Sequence, residues 1–267
     1  MERYQVIIAY DGTNFQGFQR QGRSRTVQGV VEEALALLGW HDRTVLFAGR
    51  TDSGVHASGQ VLAFDLEWSH SCEALQRAIN VHLPQDVSVM AVATADKDFH
   101  PRYQAVARQY HYSLFCQAWR DPLREYFSWR IWPDVQAELL IQCAACLPGA
   151  HDFAAFGSPL KPGGTTVRTV YRADWVQEEH GGWSFRIAAN AFLYRMVRRL
   201  VFLQVLVGQQ RLSLSQFAEA LQNPQPLTPG LAKPNGLVLE KVFYPSKADE
   251  PEGLINTSSA SGEEDCG

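Results

Sequence analysis

Two apolar runs, Val45-Leu46-Phe47-Ala48 and Gln60-Val61-Leu62-Ala63-Phe64-Asp65-Leu66, have the composition of β-strands, and the second has their alternation. Between them the chain carries Gly49-Arg50-Thr51-Asp52-Ser53-Gly54-Val55-His56-Ala57. A carboxylate and a guanidinium are thereby set two residues apart in a glycine-framed turn held between rigid strands. Gly49 and Gly54 permit positive φ and close backbone approach, so a ligand can come near the peptide plane without meeting a Cβ atom. On spacing alone, a solvated turn with an Asx cap is the commoner explanation.

The remaining chain alternates strand and helix patterns. Residues 4–10 read as a strand closed by Asp11-Gly12, and residues 14–25 as a polar loop crowded by Arg20, Arg23 and Arg25. Thr26 is placed to cap a helix whose apolar positions are Val27, Val30, Val31, Ala34, Leu35 and Leu38. A helix over 73–82 stopped by Pro84 and a strand over 87–93 close the first half. The second half offers a strand at 109–115, a helix at 135–147, and strands at 168–176 and 183–189 around Gly181-Gly182. Helices over 191–207 and 215–222 and a strand over 237–243 follow. The expected class is α+β, with two similar halves, 1–104 and 105–247, whose sheets join around a central cleft.

Composition narrows function by exclusion. At 267 residues and 46% hydrophobic content the chain can bury a full core. Its start enters a strand pattern at once, without a cationic leader or apolar signal core, and the longest apolar stretch, 200–208, is interrupted by Gln204 and far too short for a bilayer span. No membrane role is expected. Five cysteines without regular spacing argue against a disulfide framework and for the cytosol. Cys143 and Cys146 have metal or redox spacing but sit late in a helix pattern, so two buried structural thiols are expected, and no metal site. The net charge of −4 hides an acidic tail: Asp249, Glu250, Glu252, Glu263, Glu264 and Asp265 fall within 248–267, which reads as disordered. Local arginine clusters must therefore supply any attraction for nucleic acid: Arg20 with Arg23 and Arg25, Arg102 with Arg108, and Arg195 with Arg198 and Arg199.

Gly49-Arg50-Thr51-Asp52-Ser53-Gly54-Val55-His56-Ala57, followed by Gly59-Gln60-Val61, resembles the signature of the pseudouridine synthases, and among them the TruA family of tRNA-modifying enzymes. Further blocks match in the family's order: Ala9-Tyr10-Asp11-Gly12-Thr13 with Phe15-Gln16-Gly17-Phe18, Thr26-Val27-Gln28-Gly29, Phe99-His100-Pro101-Arg102, Arg108-Gln109-Tyr110-His111-Tyr112, His151-Asp152-Phe153, Asn190-Ala191-Phe192-Leu193-Tyr194-Arg195-Met196-Val197-Arg198 and Gly236-Leu237-Val238-Leu239. Ser53 stands where alanine is common, Pro101 lies beside His100, and Arg195 replaces a residue often His or aromatic. The resemblance implies the pseudouridine synthase fold, a mixed and largely antiparallel sheet with flanking helices. It also implies isomerisation of uridine to pseudouridine at positions 38, 39 and 40 of the tRNA anticodon stem-loop, by a homodimer without cofactor.

By the same resemblance Asp52 is the essential carboxylate, acting as nucleophile or base, and Arg198 is its paired cation. Tyr110 is a stacking and proton-relaying tyrosine, and Arg50 assists the flipping of the base out of the RNA stack. Leu237 or Leu239 is placed to cap the other side of the base, and Arg20 and Arg195, from the arginine clusters, are candidates for substrate binding. Core packing is a rival explanation for Tyr110 and Leu237, and a solvated helix face a rival for Arg195, Arg198 and Arg199. Two other functions compete. One is a non-catalytic tRNA-binding or RNA-folding protein; the other is a carboxylate-pair hydrolase using Asp52 with Asp11, Asp65 or Asp152.

Overall fold

A computed structural model gives the fold and describes residues 1–159, 161–225 and 227–245, without the side chain of residue 180. The acidic segment 248–267 lies outside the described residues. The elements run β1 (Glu2–Tyr10), α1 (Val27–Ala36), β2 (Leu46–Phe47), β3 (His56–Leu66), α2 (Cys72–His82), β4 (Val87–Ala95), β5 (Ala107–Cys116), β6 (Trp129–Ile131), α3 (Ala137–Ala145), β7 (Gly149–Asp152), β8 (Val167–Glu178), β9 (Gly182–Ala189), α4 (Met196–Gly208), α5 (Leu214–Gln222) and β10 (Leu237–Phe243). The strands form one mixed sheet in the order β4-β1-β3-β10-β5-β9-β8-β7, with β2 on β3 and β6 on β5. This is the α+β arrangement expected, and all pairings are antiparallel except β10 with β3 and β5 with β6.

Local chemistry explains most element ends. Thr26 Oγ1 accepts the Gly29 N–H at 3.3 Å and caps α1. Ser71 caps α2 in the same way, and Ser213 with Gln216 forms a capping box on α5. β1 alternates buried and half-buried positions, as a strand with one covered face must, whereas β3 is buried along nearly its whole length. Gln204, the polar residue inside the apolar run of α4, is fully buried and its Oε1 accepts the Trp175 indole N–H at 2.8 Å.

Two hydrophobic clusters flank the sheet's midline. One draws on β1, α1, β3, α2 and β4, together with Leu239 and Val242 of β10. The other draws on β5, α3, β8, β9, α4 and α5, together with Val55 and Leu237. Each cluster thus contains residues that the chain's other half contributes, and Tyr110 packs against both.

The structure shifts several elements. The predicted helix over 191–207 begins only at Met196, because Asn190 turns the chain: its Oδ1 accepts the N–H groups of Thr169 and Ala191 at 3.0 and 2.8 Å. Arg195 at the N-cap then takes a left-handed conformation, φ 62°. The helix expected at 135–147 is trimmed to Ala137–Ala145, and the strand expected at 45–48 to Leu46–Phe47. β6 and β7 were not foreseen; at three and four residues they carry no legible period. Cys143 is buried, its thiol pushed up to about 12 by desolvation, whereas Cys146 is half-buried and donates to the Gln142 carbonyl at 3.2 Å. No described helix is long and apolar enough to cross a membrane.

Candidate active site

The Gly49 to Gly54 turn is fastened on every side. Gln60, fully buried in β3, donates from Nε2 to the Gly49 carbonyl at 2.7 Å. Thr51 Oγ1 shares a 2.8 Å hydrogen bond with the Tyr10 hydroxyl. The Phe18 N–H donates to the Thr51 carbonyl at 3.2 Å, and the Gly54 N–H and Ser53 hydroxyl both donate to the Phe15 carbonyl, at 3.4 and 3.1 Å. The loop after β1 therefore backs the Asp52 turn along its length. Contact is so close that a Cβ on Gly12 would fall 2.0 Å from the Val55 carbonyl oxygen, and one on Gly17, at φ 83°, 2.8 Å from that of Thr51. His56 adds a side-chain tie. Its Nδ1 accepts the Gly12 N–H at 3.0 Å, and burial holds it below the usual histidine range while the Asp11 carboxylate pulls the other way.

Asp52 emerges from this frame into a cleft of about 670 Å³, large enough for a nucleotide-sized ligand. The Arg198 guanidinium donates from Nη1 to Asp52 Oδ2 at 2.8 Å and from Nε to the Ala232 carbonyl at 2.9 Å. Both side chains are mostly covered, 12% and 23% exposed, so each charge needs the other. Arg195 Nε stands 3.9 Å from the same carboxylate oxygen, brought there by the left-handed backbone at its N-cap position. Asp52 is the one acid among the described residues lining the cleft.

Tyr110 lies on β5 opposite Leu239 and Ile187 and meets the Phe192 ring edge-on at 5.0 Å. Burial pushes its phenol up to about 12, the neighbouring Arg108 pulls it down and Asp52 raises it, so the hydroxyl keeps its proton at neutral pH. Leu237 and Arg50 also line the cleft. Arg50 is exposed and makes no hydrogen bond or ion pair among the described residues. The structure thus gathers Asp52, Arg198, Arg195, Tyr110, Arg50 and Leu237 around one cavity.

Arg20 is not on its border: the guanidinium folds back onto Glu32 at 2.7 Å and the Arg43 carbonyl at 3.1 Å. Its neighbour Arg25 pairs with Asp86 at 2.7 Å and covers the Phe15 ring. Arg199 does not share the Asp52 face either; it turns to the carbonyls of Gly230 and Leu227 at 2.8 and 3.1 Å. Arg108, read from sequence as part of an RNA-attracting cluster, is a half-buried brace at the cleft wall. It donates to the carbonyls of Ala48, Arg102, Ala105 and Asn190, and so fixes the segments that lead into Gly49 and Ala191. Asp11, Asp65 and Asp152 are engaged elsewhere, by the Thr13 N–H and hydroxyl, by Arg3, and by the Ala154 N–H. The carboxylate-pair arrangement is absent among the described residues.

A mixed sheet thus opens a nucleotide-sized cleft on a single carboxylate–guanidinium pair among the described residues, an arrangement of the kind an enzyme presents to its substrate. The tRNA pseudouridine synthase family model matches residues 6–104 and 143–245, and the chain belongs to that family of isomerases. Among similar proteins, the tRNA pseudouridine synthase A of Geobacillus kaustophilus is 38% identical over 261 residues, covering 96% of this chain and 98% of that protein. The protein of the same name from Chloroflexus aurantiacus is 36% identical over 252 residues, 92% and 90% of the two chains. A solved structure of a Cbf5-Nop10-Gar1 complex is 14% identical with a TM-score of 0.39, covering 76% of this chain and 44% of that one.

Proposed function

We propose that the protein isomerises uridine to pseudouridine at positions 38, 39 and 40 of the tRNA anticodon stem-loop, in the cytosol and as a homodimer, with Asp52 as the reacting carboxylate. The observation that carries the reading is the 2.8 Å pair of Arg198 with Asp52 in a cleft whose described lining holds no second acid. Isomerisation breaks the bond from C1′ to N1 and forms one from C1′ to C5. N1 gains a proton and C5 loses one, so no external group or electron is consumed. Asp52 serves as nucleophile toward the base or sugar, or as the base that removes a sugar proton. Arg198 and Arg195 set cations beside it, and Tyr110 offers a protonated hydroxyl for transfer near the uracil.

A uridine stacked in an RNA stem cannot reach this depth, so it must be extruded at a cost of a few kcal/mol. Arg50, exposed and unpaired among the described residues, has the planar guanidinium to fill the vacated stack. Leu237 packs against the base from the sheet side. The test is to incubate unmodified tRNA transcript with wild type and Asp52→Ala and to map pseudouridine at each uridine by mass spectrometry. Product at 38 to 40 with wild type alone is expected. Product with both proteins would remove Asp52 from the chemistry, and product with neither, across several tRNAs that bind, would favour a non-catalytic tRNA-binding protein. Sedimentation of the purified chain tests the homodimer.

A further inference from the structure

Two tyrosines border the cleft with their rings in solvent, and the chemistry above uses neither. Tyr103 is 78% exposed and Tyr194 44%, and both line the cavity that contains Asp52. Each ring is backed by a flat polar group. The His100 imidazole lies 4.2 Å from the Tyr103 ring, centroid to centroid, and the Arg195 guanidinium lies 4.7 Å from the Tyr194 ring. Backbone contacts hold both in place: the Arg102 N–H donates to His100 Nδ1 at 3.1 Å, and the Tyr194 N–H to the Ser158 carbonyl at 2.9 Å. Cations stand alongside. The side chains of Arg102 and Arg50 line the same cavity and have no hydrogen-bond or ion-pair partner among the described residues.

An aromatic ring supported from behind, open in front and flanked by unpaired guanidinium groups suits an unpaired nucleobase and its phosphate, because every base presents a π-face whatever its sequence. Extruding one nucleotide leaves its neighbours short of a stacking partner. We propose that Tyr103 and Tyr194 are stacking platforms for the bases next to the target uridine, with Arg102 on an adjoining phosphate. This rests on the RNA-substrate reading above.

The test uses tRNA transcripts carrying 2-aminopurine on the 5′ or the 3′ side of the target uridine. Wild type, Tyr103→Phe and Tyr194→Phe should change the probe's fluorescence on binding. Tyr103→Ala and Tyr194→Ala should each lose that change at one probe position and bind about fivefold more weakly or worse, with the salt slope unaltered. Arg102→Gln should instead lower the salt slope by about one. Alanine variants with wild-type Kd and wild-type fluorescence would overturn the proposal, as would phenylalanine variants as weak as the alanine ones. Wild type that binds and perturbs the probe yet yields no pseudouridine would overturn the isomerase function instead, leaving the platforms standing.

Discussion

At the scale of single residues the site depends on charge compensation inside a partly closed cleft. Asp52→Asn keeps the shape and removes the charge, so we expect isomerisation to fall about a thousandfold or more while the melting temperature hardly moves, read by single-turnover assay and calorimetry. Arg198→Ala leaves the carboxylate without its close donor. Hydrogen bonds to charged groups contribute about 1.5–3 kcal/mol, so kcat/KM should drop by roughly 10- to 150-fold. Three histidines contribute to the pH response of stability near neutrality. Burial holds His56, His100 and His111 below the ordinary histidine value; Asp11 opposes this at His56, and Glu240 and Glu178 at His111, whereas Arg102 and Arg3 reinforce it at His100 and Arg186 at His111. Because the folded form resists protonation, the unfolded chain takes up the proton first. The stabilisation is complete above the unfolded histidine pKa and is lost as pH falls below it. Thermal melts should therefore shift down between about pH 7 and pH 5, and His56→Gln should shallow that shift without abolishing it.

At the scale of elements, closeness of backbones matters more than side-chain contacts. A Cβ on Gly12 would press into the Val55 carbonyl, and one on Gly59 would sit 2.1 Å from the Glu240 carbonyl, where β3 meets β10. Gly12→Ala and Gly59→Ala should each cost about 3 kcal/mol or more in urea unfolding, with activity lost in any folded remnant. Arg195→Gly should do the reverse. Removing a left-handed non-glycine residue should raise stability by up to about 1–2 kcal/mol, while tRNA turnover falls because the second cation near Asp52 is gone. Such features decide what could be read from the sequence. The strands and helices with clear period and caps, β1, α1, α2, β5 and β10, were legible, and so was the turn that carries Asp52. The start of α4 was not, because apolar spacing continues back to Ala191 while the Asn190 side chain overrides it. The inward turn of Arg108 and the diversion of Arg20 onto Glu32 were also hidden, since a charged residue's partners lie far away in sequence.

At the scale of the whole molecule, β10 is the keystone of the sheet. It lies parallel to β3 through His56 and Ala57 and antiparallel to β5 from Leu237 to Phe243, so it alone joins the two groups of strands along the sheet's main path. Ending the chain before Leu237 should abolish the cooperative melt of the full protein, as followed by near-ultraviolet circular dichroism.

The same placement has a bearing on how the molecule is made. The strand that closes the sheet is among the last stretches of described chain to leave a ribosome, and its pairing with β3 spans most of the chain's length. Such distant pairings are slow to form and come after local ones. Each group of helices and strands can collapse on its own side while the seam stays open. Leu237, which lines the cleft, arrives with the closing strand, and Ala232, whose carbonyl holds Arg198, arrives just before it. A nascent or shortened chain that stops before β10 therefore has the Asp52 turn but no finished pocket around it, and a competent cleft becomes a property only of a chain that extends through β10.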